Sequence, residues 1–203
     1  MRDLIAQRLR GTTPAADPVA AALAALPNGV ADIWFERPLI PAAVLVTLVA
    51  HDDGPGVLLT KRTAHLRDHP GQISFPGGRA EEHDAGPEAT ALRELHEEIG
   101  IAPDAVDVVG YLEPMAVITG FAVTPVVGFV APGYTLQLDS FEVQEAFEVP
   151  LTLLLEEGSR VATIREFRGI ESPFWEFHHD GRRIWGATAM MLNQLVELIN
   201  KNN

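Results

Sequence analysis

The sequence predicts an α/β fold in which a mixed β-sheet is flanked by helices. Short β-branched and aromatic segments come in runs with few helical segments between them, and this order favours a mixed sheet over strictly alternating strands and helices. The strongest helical pattern lies at 87–99, and a second amphipathic helix is predicted at 187–200. With 203 residues, 47% of them hydrophobic, the chain is long enough for one domain with a substantial core.

Two regions are predicted along the chain. Residues 1–37 form an N-terminal helical extension, in which alanine-rich residues 15–26 suit a helix that ends at Pro27-Asn28-Gly29. Residues 38–203 form the main domain. The extension carries no recognisable chemistry, so we look for function in the main domain.

The main domain is predicted to begin with a β-hairpin. Ala42–Ala50 is continuously apolar and rich in β-branched residues, which indicates a buried strand. A glycine-containing turn separates it from Val57–Lys61, its antiparallel partner. Ile73–Pro76 is a further short strand, which ends at the pair Gly77-Gly78. Later strands are predicted at Val106–Leu112, Ala122–Val130, Ile164–Phe167, Phe174–His178 and Arg182–Trp185, and a short helix at Pro150–Glu157.

The charge distribution excludes one class of protein and points to another. Fifteen basic residues against 28 acidic ones give a net charge of −13, so non-specific nucleic-acid binding is not expected. The charge is uneven, because a mainly basic segment at 61–79 runs directly into a mainly acidic one at 81–98. This arrangement predicts a site where an anion is held together with a cation.

Other classes are excluded by what the sequence lacks. The longest apolar run, Ile40–Ala50, has about half of the roughly 20 residues that a membrane-spanning helix needs, so no membrane association is expected. The chain has no cysteine, which rules out disulfides and thiolate metal sites. A cytoplasmic protein is the expectation.

The helix predicted at 87–99 carries the strongest chemical signal. Pro87 suits the first helical position and Gly100 the residue just after the end. Glu94, Glu97 and Glu98 stand at i, i+3 and i+4 and therefore share one face. Clustered carboxylates suit a hard divalent cation such as Mg²⁺ or Mn²⁺. An exposed, merely solvated glutamate face is the alternative that spacing alone leaves open.

The residues around this face resemble a known motif. Residues 93–101 read Arg-Glu-Leu-His-Glu-Glu-Ile-Gly-Ile and match the core of the Nudix box, R-E-U-x-E-E-x-G-U with U an aliphatic residue, at every fixed position. Gly78 lies upstream, as the box requires, but the acid after five intervening residues is Asp84 rather than Glu. One extra residue also separates Asp84 from Arg93. This departure is similar to the variant found in the coenzyme A pyrophosphatase branch of the Nudix hydrolases.

The segment before the box supports the same branch. Residues 58–78 resemble the signature L-L-T-x-R followed by L-R-x-H-x-G-Q-x-x-F-P-G-G. Side chains able to donate to phosphate oxygens, and glycines that permit close backbone approach, are the expected substrate-binding groups. These predicted substrate-binding residues are Arg62, Arg67, His69, Gln72, Gly77 and Gly78.

The resemblance also implies a catalytic set. Glu94, Glu97 and Glu98 are the implied ligands of Mg²⁺ or Mn²⁺, and Arg93 is expected to hold one carboxylate by a bidentate pair. Nudix enzymes often recruit a further acid from a later loop; Glu142 and Glu145 lie where it is expected, and Glu145 is the predicted catalytic one.

The implied fold is the Nudix α/β/α sandwich, and the implied activity is metal-dependent hydrolysis of the diphosphate of coenzyme A or its thioesters. The products would be 3′,5′-ADP and 4′-phosphopantetheine or its acyl form. Two alternatives stay open: hydrolysis of another nucleoside diphosphate derivative, such as ADP-ribose or a dinucleotide, and a catalytically silent binding module. The expected partner is a small-molecule substrate, and a homodimer is one of the oligomeric states left open.

Overall fold

The computed structural model describes residues 1–36, 38–66 and 68–201. The helices are α1 (Arg2–Leu9), α2 (Pro18–Ala24), α3 (Val30–Trp34), α4 (Pro87–Ile99), α5 (Leu151–Leu155) and α6 (Ala187–Asn200). The strands are β1 (Ile40–Val49), β2 (Gly56–Arg62), β3 (Ile73–Ser74), β4 (Gly77–Arg79), β5 (Val106–Tyr111), β6 (Met115–Val117), β7 (Phe121–Val130), β8 (Val143–Pro150), β9 (Arg160–Phe167), β10 (Ile170–His179) and β11 (Arg182–Trp185).

The central sheet is mixed and contains β1 to β8. Strands β1 and β7 run parallel along their whole length, whereas the other strand pairs in the sheet are antiparallel. Strands β5 and β6 both pair with β7, and β8 pairs with β2. The predicted mixed sheet flanked by helices is confirmed.

Strands β1 and β2 form the predicted hairpin but diverge beyond its first few residues. They pair only between 47–49 and 56–58. Further along, β4 takes the free edge of β1 at 42–44, and β3 pairs with β2 at Thr60 and Lys61. The β3–β4 segment therefore fills the gap between the two strands, and it brings a pair of glycines under helix α4.

Helices cover both faces of this sheet. On one face α4 buries Leu95 and Ile99 against Leu45, Leu58 and Val126. On the other face α6 packs together with α1 and a smaller sheet, which consists of β9, β10 and β11 in the order β11–β10–β9. Phe177 and Ile184 of the smaller sheet are buried in the core on this second face. The layers are thus α4, the central sheet, and a mixed layer of helices and strands.

The N-terminal helices contribute to the core. Ile5 and Leu9 of α1 are fully buried in the larger core cluster, and Ala22 of α2 packs with Leu39 and Ala122. The helix predicted at 15–26 is α2, although it is shorter. The domain boundary at residue 37 remains a prediction.

The observed element boundaries agree best with the predicted ones where a proline or glycine marks the end of an element. Helices α4 and α6 and strand β11 have the predicted limits, and Gly100 ends α4 in the left-handed conformation. Strands β4, β6 and β8 were not predicted, and Gly77 and Gly78, which were expected to end a strand, lie in β4. No helix in the described part of the chain is long and apolar enough to cross a membrane.

Candidate active site

The site forms where strand β4 passes beneath the C-terminal half of α4. Gly78 lies so close to Glu94 that a Cβ atom there would come 2.4 Å from the Glu94 Oε1 atom. At Gly77 a Cβ would come 2.5 Å from the carbonyl oxygen of Ala43 on the neighbouring strand. Glycine at these two positions therefore lets the β4 backbone approach the Glu94 carboxylate and the backbone of β1 closely.

Arg93 joins the helix to the preceding loop. Its Nε and Nη2 atoms donate to the two oxygens of Asp84 at 3.1 and 2.9 Å, which is a bidentate pair. Its Nη1 atom donates to Glu94 at 2.9 Å and to Glu97 at 3.0 Å, and Nη2 also reaches the Arg79 carbonyl. The predicted role of Arg93 in holding a carboxylate thus extends to three carboxylates, and the bidentate partner is Asp84.

Asp84 is buried and saturated with hydrogen bonds. Its side chain is 4% exposed and also accepts from the Glu81 N–H and the Thr90 hydroxyl, both at 2.9 Å. The hydrogen bonds from Arg93 hold the pKa of Asp84 well below its usual range, and Asp84 raises the pKa of Arg93 in turn. Asp84 was not among the predicted site residues, although it stands at the acidic position of the Nudix box and could have been predicted from that.

The three glutamates of α4 do not share one environment. Glu98 is 4% exposed, with the Gly77 N–H 3.5 Å from its Oε1, whereas the Glu97 side chain is 58% exposed. Burial raises the pKa of Glu98 to about 8 and also raises the pKa of Glu94, which Arg93 partly offsets. Within residues 1–36, 38–66 and 68–201, no three acidic or histidine side chains converge to form a ready metal cage.

Glu94 and Glu98 have the donor chemistry that a divalent cation needs. Both carboxylates are largely removed from water. Repulsion from Glu97 and Glu142 further raises the pKa of Glu94, and repulsion from Glu94 and Glu142 that of Glu98. Mg²⁺ takes one or two carboxylates and completes its shell with water and substrate phosphates. The residues present therefore fit Mg²⁺ or Mn²⁺, with Glu94 and Glu98 facing β4 and Glu97 at the exposed flank.

Arg62 and Glu142 extend the site from the side of β2. The Nη2 atom of Arg62 lies 3.8 Å from the Glu142 carboxylate, and its buried Nε has no hydrogen-bond partner among the residues that the structure describes. The charge of Arg62 lowers the pKa of Glu98, whereas Glu142 raises it, so both groups act on the same carboxylate. A buried donor without an acceptor beside an acidic cluster suits an incoming phosphate oxygen.

Glu145 has a different position from the one expected. It lies in strand β8 rather than in a loop, and Arg182 donates to both of its oxygens at 3.2 and 3.3 Å. A bulge places Lys61 opposite Glu145 but Arg62 opposite Val143, so Gln144 is the extra residue. Val143 packs in the core on the α4 side of the sheet. Phe147 and Val149, which lie on the same face of β8 as Glu145, pack in the core on the opposite side. The structure therefore brings Glu142, and not Glu145, to the glutamates of α4.

The remaining predicted substrate-binding residues lie in the turn after β2. His69, in the left-handed conformation, has its Nδ1 atom 2.7 Å from the Gln72 side-chain oxygen, and the Gln72 carbonyl accepts from the Arg62 N–H at 2.9 Å. These contacts order the turn next to Arg62, but they do not join His69 or Gln72 to the α4 carboxylates. Arg67 lies outside the described residues.

Comparisons with known proteins agree with this arrangement. The profile of the NUDIX domain matches residues 39–167, more than half of the chain. A protein named "Uncharacterized Nudix hydrolase NudL" from Enterobacter sp. is 42% identical over 154 residues, which cover 76% of this chain and 80% of that protein. The protein of the same name from Cronobacter sakazakii is 44% identical over the same shares.

Solved structures share the fold at low sequence identity. A MutT/nudix family protein from Enterococcus faecalis is 16% identical, with a TM-score of 0.51 over 87% of this chain and 65% of that one. A protein from Deinococcus radiodurans is 13% identical, with a TM-score of 0.50 over 77% and 82%. The box residues on α4, the glycines beneath them and these likenesses lead to one conclusion: the chain belongs to the Nudix hydrolases, which act on nucleoside diphosphate derivatives and generally use Mg²⁺ or Mn²⁺.

Proposed function

We propose that this Nudix hydrolase cleaves the diphosphate of coenzyme A or its thioesters, giving 3′,5′-ADP and 4′-phosphopantetheine or its acyl form. The observation that carries the proposal is the position of the 58–78 segment. It starts within β2, includes Arg62 at the end of that strand and the turn of His69 and Gln72, and ends at Gly78 against Glu94. Arg62, Gly77 and Gly78 of the segment that resembles the coenzyme A signature therefore lie beside the acidic side chains of the site.

Several residues of the site bind different parts of an anionic substrate and its cation. Arg62, whose buried Nε lacks an acceptor, binds a phosphate oxygen, and the open backbone at Gly77 and Gly78 lets the diphosphate approach. Glu94 and Glu98 hold the divalent cation, which when bound lowers the pKa of water and neutralises phosphate charge. Arg93 and Asp84 keep the Glu94 carboxylate in place.

The reaction needs an acceptor for the proton of the attacking water. Water adds to one phosphorus atom, the bridging P–O bond breaks, and the leaving phosphate takes the electron pair. Glu142 is the acid in the best position to accept the proton, since it lies beside Arg62 and acts electrostatically on Glu98. Glu142 and Glu145 were the two candidates that the sequence offered, and Arg182 occupies both oxygens of Glu145.

The test is incubation of the purified protein with coenzyme A and either Mg²⁺ or Mn²⁺, with products identified by mass. We expect equimolar 3′,5′-ADP and 4′-phosphopantetheine, and no cleavage when EDTA is present. ADP-ribose and a diadenosine polyphosphate are assayed in parallel. A higher kcat/KM for either of these than for coenzyme A overturns the substrate assignment and leaves the Nudix chemistry intact. A protein that binds these compounds with metal but cleaves none is a binding module.

A further inference from the structure

An exposed aromatic pair lies at the rim of the candidate active site. Phe141 is 63% exposed, and the ring of His65 stands edge-on to it with 4.9 Å between ring centroids. His65 is itself exposed. Neither ring is buried in the core, so core packing does not account for an aromatic pair at this position.

The backbone around Phe141 is firmly held. Its N–H donates to the Asp139 side chain at 2.9 Å, and its carbonyl accepts from the Thr63 hydroxyl at 2.7 Å. The Asp139 N–H donates in turn to the Glu98 carbonyl at the end of α4, and the Thr63 N–H to the Glu142 carbonyl. Phe141 is thus presented to solvent on a segment tied to both α4 and β2.

Phe141 also adjoins the groups that would bind the diphosphate. The next residue is Glu142, whose carboxylate lies 3.8 Å from Arg62. A diphosphate held at Arg62 and the α4 glutamates leaves the rest of a nucleotide at this rim. A flat aromatic face combined with the ring nitrogens of a histidine suits a heteroaromatic base, which stacks and offers polar edges.

We propose that Phe141 and His65 form the subsite that binds the nucleobase of the substrate. The ring of Phe141 stacks on the base, and His65 supports that ring and contacts the edge of the base. This inference rests on the proposed nucleotide chemistry of the same site, but it concerns binding and can be measured without turnover.

The experiment compares two ligands that differ only in the base. Adenosine 5′-monophosphate and ribose 5-phosphate are titrated calorimetrically into the full-length protein with Mg²⁺ present. We expect the wild type to bind the adenosine compound more tightly. Phe141→Leu should weaken that binding about 5- to 100-fold, the range for losing a base–aromatic stack, and leave ribose 5-phosphate within about twofold.

Two further variants and one control complete the test. Phe141→Tyr keeps the aromatic face and should bind as the wild type does, whereas His65→Ala should weaken only the adenosine compound. Ile164→Ala removes an equally exposed apolar side chain on the smaller sheet, 71% exposed, and should change nothing.

Equal weakening of both ligands by Phe141→Leu overturns the assignment. So does unchanged binding of the adenosine compound together with weaker binding of 4′-phosphopantetheine, which would place the other arm of the substrate here. If discrimination by the base persists in a protein that cleaves no diphosphate, the proposed hydrolysis fails and this subsite stands.

Discussion

Arg93 illustrates how one side chain organises the site. Its guanidinium makes the bidentate pair with buried Asp84 and also donates to two carboxylates of α4. A lysine would keep the charge but lose the planar fork. Arg93 therefore matters for its shape as much as for its charge.

We expect Arg93→Lys to destabilise the protein by about 1–3 kcal/mol, because the buried Asp84 carboxylate loses part of its hydrogen bonding. Asp84→Asn should cost a similar amount. Urea unfolding of both single variants and the double variant forms a cycle that isolates their interaction. Costs that simply add would show that the pair is not energetically coupled.

Glu98 is the residue whose loss should affect chemistry most. Glu98→Gln keeps the shape of the side chain but removes the charge that would hold a cation. We expect activity to fall by about 10²–10³-fold, or roughly 3–4 kcal/mol of barrier, with the fold unchanged by circular dichroism. Glu157→Gln, at an exposed turn, is the matched control. Parental activity in Glu98→Gln would mean that Glu98 is not a metal ligand.

At the scale of elements, β4 can lie close to α4 and β1 because Gly77 and Gly78 have no side chains. Gly78 faces the end of a flexible glutamate, whereas Gly77 faces the backbone of β1. The two positions therefore respond to a methyl group in different ways.

Gly78→Ala should displace Glu94 and reduce kcat by about tenfold or more, with little effect on stability because a side-chain end can move aside. Gly77→Ala should lower stability by about 1–3 kcal/mol, since backbone cannot yield so easily. Steady-state kinetics and urea unfolding on both variants test the contrast. Equal stability losses would indicate that Glu94 cannot move.

The smaller sheet carries a cluster of ion pairs in which Glu176 is covered by two half-exposed arginines. Glu176 of β10 accepts from Arg183 at 2.6 Å and from Arg165 at 3.2 Å. These arginines, Arg183 foremost, hold the pKa of Glu176 at about 2, below the ordinary 4.5. Because the folded-state pKa is depressed, the stabilisation is complete above pH 4.5 and is lost as the pH falls towards 2.

Glu176→Gln should therefore be less stable than the wild type at pH 6, and the difference should shrink as the pH is lowered to 3. Thermal unfolding across that range measures it, with Glu171→Gln on the same strand as the control. A difference that does not change with pH would exclude ionisation of Glu176 as its cause.

Elements with terminal proline and glycine signals were predictable, and others were not. Pro87 and Gly100 mark α4 at both ends, so its limits and its glutamates followed from the sequence. Strand β8 was not predicted because the bulge at Gln144 interrupts its alternation. The choice between Glu142 and Glu145 depended on their partners Arg62 and Arg182, which are distant in the sequence. Whether Glu97 would share the burial of Glu94 and Glu98 also depended on packing against β4, which local spacing does not specify.

At the scale of the whole molecule, the N-terminal helices belong to the folded unit. Helix α1 contacts α6 and β5 and places Ile5 and Leu9 in the core shared with the smaller sheet. Helices α1 and α2 thus supply packing, for which the sequence offered only an alanine-rich pattern.

Ile5→Ala should lower the free energy of unfolding by about 2–5 kcal/mol, the cost of a cavity in a well-packed core. Ile33→Ala, at a partly exposed position of α3, should change it by about 0.5 kcal/mol or less. Denaturant unfolding followed by tryptophan fluorescence and by circular dichroism gives both values. An unchanged midpoint in Ile5→Ala would mean that α1 unfolds separately from the rest.

The extra residue in β8 has a consequence for how such a scaffold varies. Successive side chains of a strand point to opposite sides, so Val143 and Glu145 would share one side of a regular strand, and the extra residue Gln144 places them on opposite sides. Deleting that single residue would make Val143 and Glu145 neighbours, with Arg62 and Lys61 still opposite them, so each would keep its side of the sheet. Proteins built on this frame can thus gain or lose a residue at this point of the strand without changing which acid lies beside Arg62.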